Sequence, residues 1–241
     1  MNFFQAIGAF VSQFIGLLPS LAPRFVLAWG LTLGVLLALF TFLRPKLRGH
    51  LLSLDTHVRN WAAKLRFRDI KDHTTDRVLR TWFMRFWTNF ASAPSLIVLS
   101  LALAIWGTAH DPKFATVYYL PGLCYAGSSF LSLFSKRHFK RPRPQRAEGS
   151  FGHKMKDASF PSGHSLTSFC FWFGCVLAAP LAGMGMINFT MLSVLATLTV
   201  VFTGMSRIYM GVHFPSDVLG GYVIGAVWCV VCFFALVPAL Y

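Results

Sequence analysis

The sequence predicts an all-α membrane protein, a polytopic bundle of six transmembrane helices with an amphipathic interfacial segment. Three observations carry that prediction. Hydrophobic residues fill 55% of the 241 positions and charged residues 12%, with a mean hydropathy of +0.58, outside the range of soluble domains. Uncharged runs recur at span length, since a bilayer core about 30 Å thick needs roughly 20 apolar helical residues to cross it. The charged residues gather between those runs and leave the runs themselves clear.

Taken in order, Met1 to Pro23 is apolar but lacks a basic start and carries Pro19 and Pro23. It reads as an interfacial helix and not as a cleaved leader. Span one is Phe25 to Leu43, closed by Arg44, Lys46 and Arg48 at the headgroup level. From His50 to Arg85 the residues Leu54, Val58, Trp61 and Leu65 recur at helical spacing among Arg59, Lys64, Arg66 and Arg68, the pattern of an amphipathic helix on the membrane surface. Span two falls within Phe86 to Ala109 and span three within Phe114 to Ser135, joined by a polar turn through His110, Asp111, Pro112 and Lys113. No charge occurs from Ser165 to Ser206, room for spans four and five with a break near Pro180, Gly183 and Gly185. Val218 to Tyr241 is span six. With no internal repeat or linker, residues 1–241 read as one unit: an N-terminal span with interfacial helices over 1–85 and a helical core over 86–241.

Six crossings place the 136–160 loop on the face opposite the termini, together with the loop between spans five and six. The formal charge of +14 and pI of about 10.1 would suggest nucleic acid in a soluble chain. Here no nucleic-acid motif accompanies the basic residues, and their position between apolar runs suits lipid phosphates. No obligatory protein partner is evident. The five cysteines, Cys124, Cys170, Cys175, Cys229 and Cys232, lie inside apolar runs without metal-type histidine spacing, so they read as packing residues.

Three polar clusters interrupt the pattern on one expected face. They are Lys136 to Pro144 (KRHFKRPRP), Pro161 to His164 (PSGH), and Ser206-Arg207 with His213 and Asp217. Lys136, Arg143 and Arg207 offer a point charge and two guanidinium forks to phosphate oxygens. Ser162 and Gly163 stand just before a helix, where free N–H groups and the helix dipole attract an anion. His213 and His164 can divide the roles of nucleophile and acid, and Asp217, four residues beyond His213, can hold one ring nitrogen and free the other. Arg137, Lys140 and Arg141 read as headgroup-attracting or solvated loop charges, and His50, His57, His73, His138 and His153 as surface residues. Tyr209 reads equally as a lining of the lipid path or as core.

These residues resemble the type 2 phosphatidic acid phosphatase superfamily, whose signature is K-x6-RP, PSGH and SR-x5-H-x3-D. Lys136 with Arg143 and Pro144 fits the first element, Pro161 to His164 the second, and Ser206, Arg207, His213 and Asp217 the third. The resemblance implies a lipid phosphatase without metal or other cofactor, in which His213 forms a phosphohistidine, Asp217 orients it, and His164 serves as acid and then base. Lys136, Arg143, Ser162, Gly163 and Arg207 would hold the phosphate of a lipid such as phosphatidic acid, phosphatidylglycerol phosphate, undecaprenyl diphosphate or lipid A. The same site could serve a lipid phosphotransferase, a vanadium haloperoxidase-like oxidoreductase or a non-catalytic lipid-binding or transport protein. The resemblance further implies a bacterial inner membrane with the site on the extracytoplasmic face. Against that stand eleven basic residues between spans one and two on the site's face, and only Arg24 and Lys113 on the other, a distribution that the positive-inside rule assigns to the cytoplasm.

Overall fold

The computed structural model describes residues 1–71, 75–111, 113–144 and 157–240. Among them the chain is helical, without strands, in the order α1 (Phe3–Lys71), α2 (Thr75–Phe90), α3 (Ala93–His110), a short 3₁₀ turn (Ala115–Tyr119), α4 (Leu120–Phe139), α5 (Gly163–Leu181), α6 (Met186–Tyr209) and α7 (Pro215–Leu240). His73 and His153 lie outside the described residues.

Among the described residues five helical segments are long and apolar enough to cross a bilayer: Phe3–Thr41, Ala93–His110, Gly163–Leu181, Met186–Tyr209 and Pro215–Leu240. The protein is an integral membrane protein. The expected third span, α4, matches them in length at 20 residues, but four serines and a basic last turn (Lys136, Arg137, His138) dilute it. Its buried Ser128, Ser132 and Ser135 turn inward, where other helices rather than lipid surround them. The expected spans four and five fall on α5 and α6, and the break between them comes where expected, with Gly183 at φ 72°.

The N-terminal expectation needs correction. Met1 to Pro23 is not a separate interfacial helix, because α1 continues through Pro19 and Pro23 into the first span. At about 1.5 Å per residue its 69 residues extend roughly 100 Å. Its early turns meet the far end of the bundle: Phe10 and Phe14 pack edge-on against Tyr119, whose hydroxyl donates to Gln13 Oε1 at 2.9 Å. Farther along, Phe25 meets Trp228 and Phe40 meets Phe139 and Phe160. Over its described residues the 50–85 stretch is helical as expected, in α1 as far as Lys71 and in α2 from Thr75.

At the centre, α5 packs against α4, α6 and α7, while α1 lies along α7 and α2 along α6. Close approach depends on small residues: a Cβ on Gly127 of α4 would come within 2.0 Å of the Trp228 ring on α7. The indole Nε1 of Trp228 donates to the Cys124 carbonyl at 2.7 Å. Cys124, Cys170, Cys229 and Cys232 are buried and unbridged in this interior, and Cys175 is partly buried and unbridged. Tyr209 is buried, so of its two readings the core one fits.

Candidate active site

All eight sequence-predicted site residues gather at one end of the bundle, at the ends of α4 and α6 and the starts of α5 and α7. Lys140, in the left-handed region at φ 44°, stops α4. Pro142 and Pro144 then keep the following strand-like segment out of a helix, so Arg141 and Arg143 both reach across toward α7. Ser159 closes the base of this loop through its N–H to the Arg141 carbonyl and its hydroxyl to the Pro142 carbonyl. Ser162 then opens α5 with extended backbone, and no side chain caps the helix. Its first-turn N–H groups are therefore left for a ligand, the arrangement that favours an anion. Lys136 Nζ reaches this end, 3.5 Å from where a Cβ on Gly163 would stand.

His213 sits in the turn between α6 and α7, which Gly211 at φ 71° makes possible. The imidazole is 2% exposed. Its Nε2 lies 3.2 Å from an Arg143 terminal nitrogen, and the same nitrogen donates to the Val212 carbonyl at 2.9 Å. Its Nδ1 faces Asp217 Oδ2 at 3.5 Å, long for a hydrogen bond, and no described group comes nearer to satisfying it. Burial pushes His213 below the ordinary range; the Asp217 carboxylate opposes that, but the charges of Arg207 and Arg143 add to it, and the group comes to rest at about 4. At neutral pH the ring is uncharged.

Asp217 is fully buried in the first turn of α7. Its Oδ2 accepts from the Phe214 N–H at 2.8 Å and its Oδ1 from Arg141 at 2.7 Å. Its carbonyl accepts from the Ser162 N–H at 3.0 Å, which locks the start of α5 to the start of α7. His164, half-buried in the first turn of α5, lies within the fields of Arg207, His213, Lys136 and Arg143. Arg207 is buried in the last turn of α6. Next to it, Ser206 shares a 2.6 Å hydrogen bond with Thr88 of α2.

Three residues enter the site that the sequence did not single out. Arg141 is not a loosely solvated loop charge: its two terminal nitrogens bridge Asp55 and Asp217, each at 2.7 Å. Asp55 comes from α1 and is 4% exposed. Asp157 pairs with both Lys136 (2.5 Å) and Arg143 (2.7 Å). Burial alone would raise its carboxyl, but the hydrogen bonds and charges of Lys136 and Arg143 outweigh that and hold it at about 2. Asp55 stands on the stripe Leu51, Asp55, Val58, Ala62, a spacing that marks one helix face. That was the available signal. By contrast His50, His57 and His138 are exposed as expected, and Arg137 and Lys140 make no described contact with the site.

The sequence matches the PAP2 superfamily over residues 117–238. Its relatives include phosphatidylglycerophosphatase B of Bacillus subtilis (strain 168), 34% identical over 43% of this chain and 50% of that protein. Another, from Escherichia coli (strain K12) and provisionally named undecaprenyl-diphosphatase YbjG, is 32% identical over 57% of this chain and 72% of that protein. A third, lipid A 1-phosphatase of Rhizobium johnstonii (strain DSM 114642 / LMG 32736 / 3841), is 33% identical over 41% and 39%. The match thus spans half the length of the first of these relatives and less of the third. The fold resembles the crystal structure of a transmembrane PAP2-type phosphatidylglycerolphosphate phosphatase from Bacillus subtilis, with a TM-score of 0.62 at 22% identity over 87% of this chain and 94% of that one. With the family match covering half of the sequence and the three signature elements drawn together at one end of the bundle, this chain belongs to the PAP2 superfamily.

Proposed function

We propose that the protein is a lipid phosphate phosphatase that works through a phosphohistidine on His213. The observation that carries this reading is the orientation of one ring: Nδ1 faces the Asp217 carboxylate, and Nε2 faces Arg143 at 3.2 Å. The nitrogen on the side away from Asp217 therefore points toward the arginine that would hold the phosphate, and the phosphate would displace it from Arg143. In the first step the Nε2 lone pair forms a bond to phosphorus, the bond from phosphorus to the leaving oxygen breaks, and His164 supplies that oxygen with a proton. In the second step water attacks phosphorus and gives its proton to His164, and the N–P bond breaks to release inorganic phosphate. Lys136, Arg143, Arg207, the Ser162 hydroxyl and the first-turn N–H groups of α5 from Gly163 onward oppose the charge on the equatorial oxygens.

The names of the relatives support a lipid monophosphate or diphosphate of the phosphatidylglycerophosphate, undecaprenyl diphosphate or lipid A type as substrate. The site opens on the extracytoplasmic face of a bacterial inner membrane in this reading, and membrane lipids are its surroundings. Purified protein in detergent, given a panel of these lipids with EDTA present, is expected to release phosphate. The His213→Ala variant is expected to release none. Unchanged release from His213→Ala would end the phosphohistidine reading, and phosphorylation of an acceptor lipid in place of release would assign the phosphotransferase reaction.

A further inference from the structure

Asp55 is one of only eight acidic residues in a chain of net charge +14, and it belongs to α1, outside the 117–238 family match and all three signature elements. Nonetheless its carboxylate is buried and fully engaged at the site end. Oδ1 accepts the Ser216 N–H at 2.9 Å; Oδ2 accepts the Ser216 hydroxyl at 2.7 Å and Arg141 at 2.7 Å. Ser216 stands in the first turn of α7, whose N–H groups lack partners within the helix. Asp55 thus caps α7 from another helix. The other terminal nitrogen of Arg141 donates both to the Ser216 hydroxyl and to Asp217 Oδ1, each at 2.7 Å, and the guanidinium lies over the Phe214 ring with 4.2 Å between its carbon and the ring centroid. Asp217 then faces His213.

We infer that Asp55 and Arg141 are positioning residues for His213. Arg141, held from behind by Asp55, fixes the Asp217 carboxylate so that its second oxygen meets Nδ1 and the ring presents Nε2 to the phosphate. The geometry makes the arrangement demanding. A carboxylate buried on its own is costly, and Asp217 accepts from a backbone N–H and a guanidinium while facing an imidazole at 3.5 Å. A fork shared between two carboxylates sets the angle of both, which a lysine, with its single rotatable ammonium, cannot do. On this reading α1 is part of the catalytic apparatus and more than an anchor.

The inference rests on His213 as nucleophile, so its test needs one readout that does not. The full chain in detergent, labelled with ¹⁵N-histidine, reports the ring tautomer directly, with the His213 signals identified by their loss in His213→Gln. Wild type is expected to show Nδ1 protonated and Nε2 bare. Asp55→Asn and Arg141→Lys are expected to mix the two tautomers. In the lipid phosphate assay both variants should lower kcat by about 10- to 100-fold, the scale for a misplaced reacting group, with KM moving less than threefold. Adding Asp55→Asn to Arg141→Gln should cost little more than Arg141→Gln alone, because both act on Asp217 by one route. A His213 tautomer unchanged in Asp55→Asn and Arg141→Lys overturns the inference. So does a kcat within twofold of wild type, or a loss that appears only as a lower melting temperature. A wild type that releases no phosphate while its tautomer still shifts in the variants would overturn the proposed reaction and leave the positioning role standing.

Discussion

The first turn and the middle of α7 are held by different physics. Its first turn is held by Asp55, Arg141 and Asp217 through ionised hydrogen bonds at 2.7 to 2.9 Å. Thirteen residues after Pro215, Trp228 is held by shape: it is fully buried, lies against Gly127 and touches Phe25, with one hydrogen bond to a carbonyl. Helices α1 and α7 therefore meet twice, once through packing that tolerates any pH and once through charges at the candidate site. Stability should follow the first region and turnover the second.

The sharpest break of that contrast pairs His213→Ala with Trp228→Ala. His213→Ala should lower phosphate release by about a thousandfold or more, as loss of a nucleophile does, and leave thermal unfolding in detergent within a few degrees of wild type. Trp228→Ala should invert this. Emptying so large a buried side chain costs about 3 kcal/mol or more, so its melting temperature should fall steeply while the surviving folded fraction keeps its kcat. A large melting loss from His213→Ala, or a thousandfold kcat loss from Trp228→Ala at full folding, would erase the division.

This division also explains what the sequence could show. Packing and span length leave a periodic, local signal, so α3, α5, α6 and α7 were legible in uncharged runs and in the Pro180 to Gly185 break. The candidate site was legible because Lys136 to Pro144, PSGH and Ser206 to Asp217 have fixed spacing within short segments. Asp55 and Asp157 have no such spacing: their partners lie 86 and 21 residues away for the Asp55–Arg141 and Lys136–Asp157 bonds, and only the fold brings them together. Arg141 was misread for the same reason, since its neighbours in sequence are basic and its neighbours in space are carboxylates. The continuity of α1 was hidden by Pro19 and Pro23, which each remove an N–H and crowd the preceding turn and so argue against a helix, yet both stand exposed inside α1.

A second way to sharpen the contrast is pH. His213 rests at about 4, below its ordinary 6.5, so it stays neutral and able to attack well into acid. The acid limb of kcat/KM should therefore lie near pH 4; a group titrating at 6.5 would already cost roughly thirtyfold at pH 5. The sign for stability is the reverse of an ion-paired histidine. Between pH 6.5 and 4 the unfolded chain takes up the proton that folded His213 refuses, so stability declines as pH falls through that window and the decline from this group stops below about 4. Packing at Trp228 has no share in either effect. An acid limb at 6.5 would mean that the buried ring is reached by water in the working enzyme.

The smallest expected effect concerns Asp157, the acid at the rim of the site. Its carboxylate takes donors from Lys136 and Arg143 that a phosphate would also need, so substrate competes with it. Held at about 2 against an ordinary 3.8, it remains ionised at every working pH, and its contribution to stability is present above about pH 4 and fades only as pH falls toward 2. Nearly half of its side chain is exposed (48%), which keeps the pairs weak, in the range of about 0.2 to 1 kcal/mol typical of solvated ion pairs. Asp157→Asn should accordingly lower KM for a lipid phosphate by no more than about fivefold, the equivalent of that energy, and leave kcat within twofold. A KM that rises in Asp157→Asn would give the residue the opposite role: the carboxylate would then hold Lys136 and Arg143 in the posture that receives the phosphate, and the rim would belong with Asp55 and Arg141 among the groups that position chemistry.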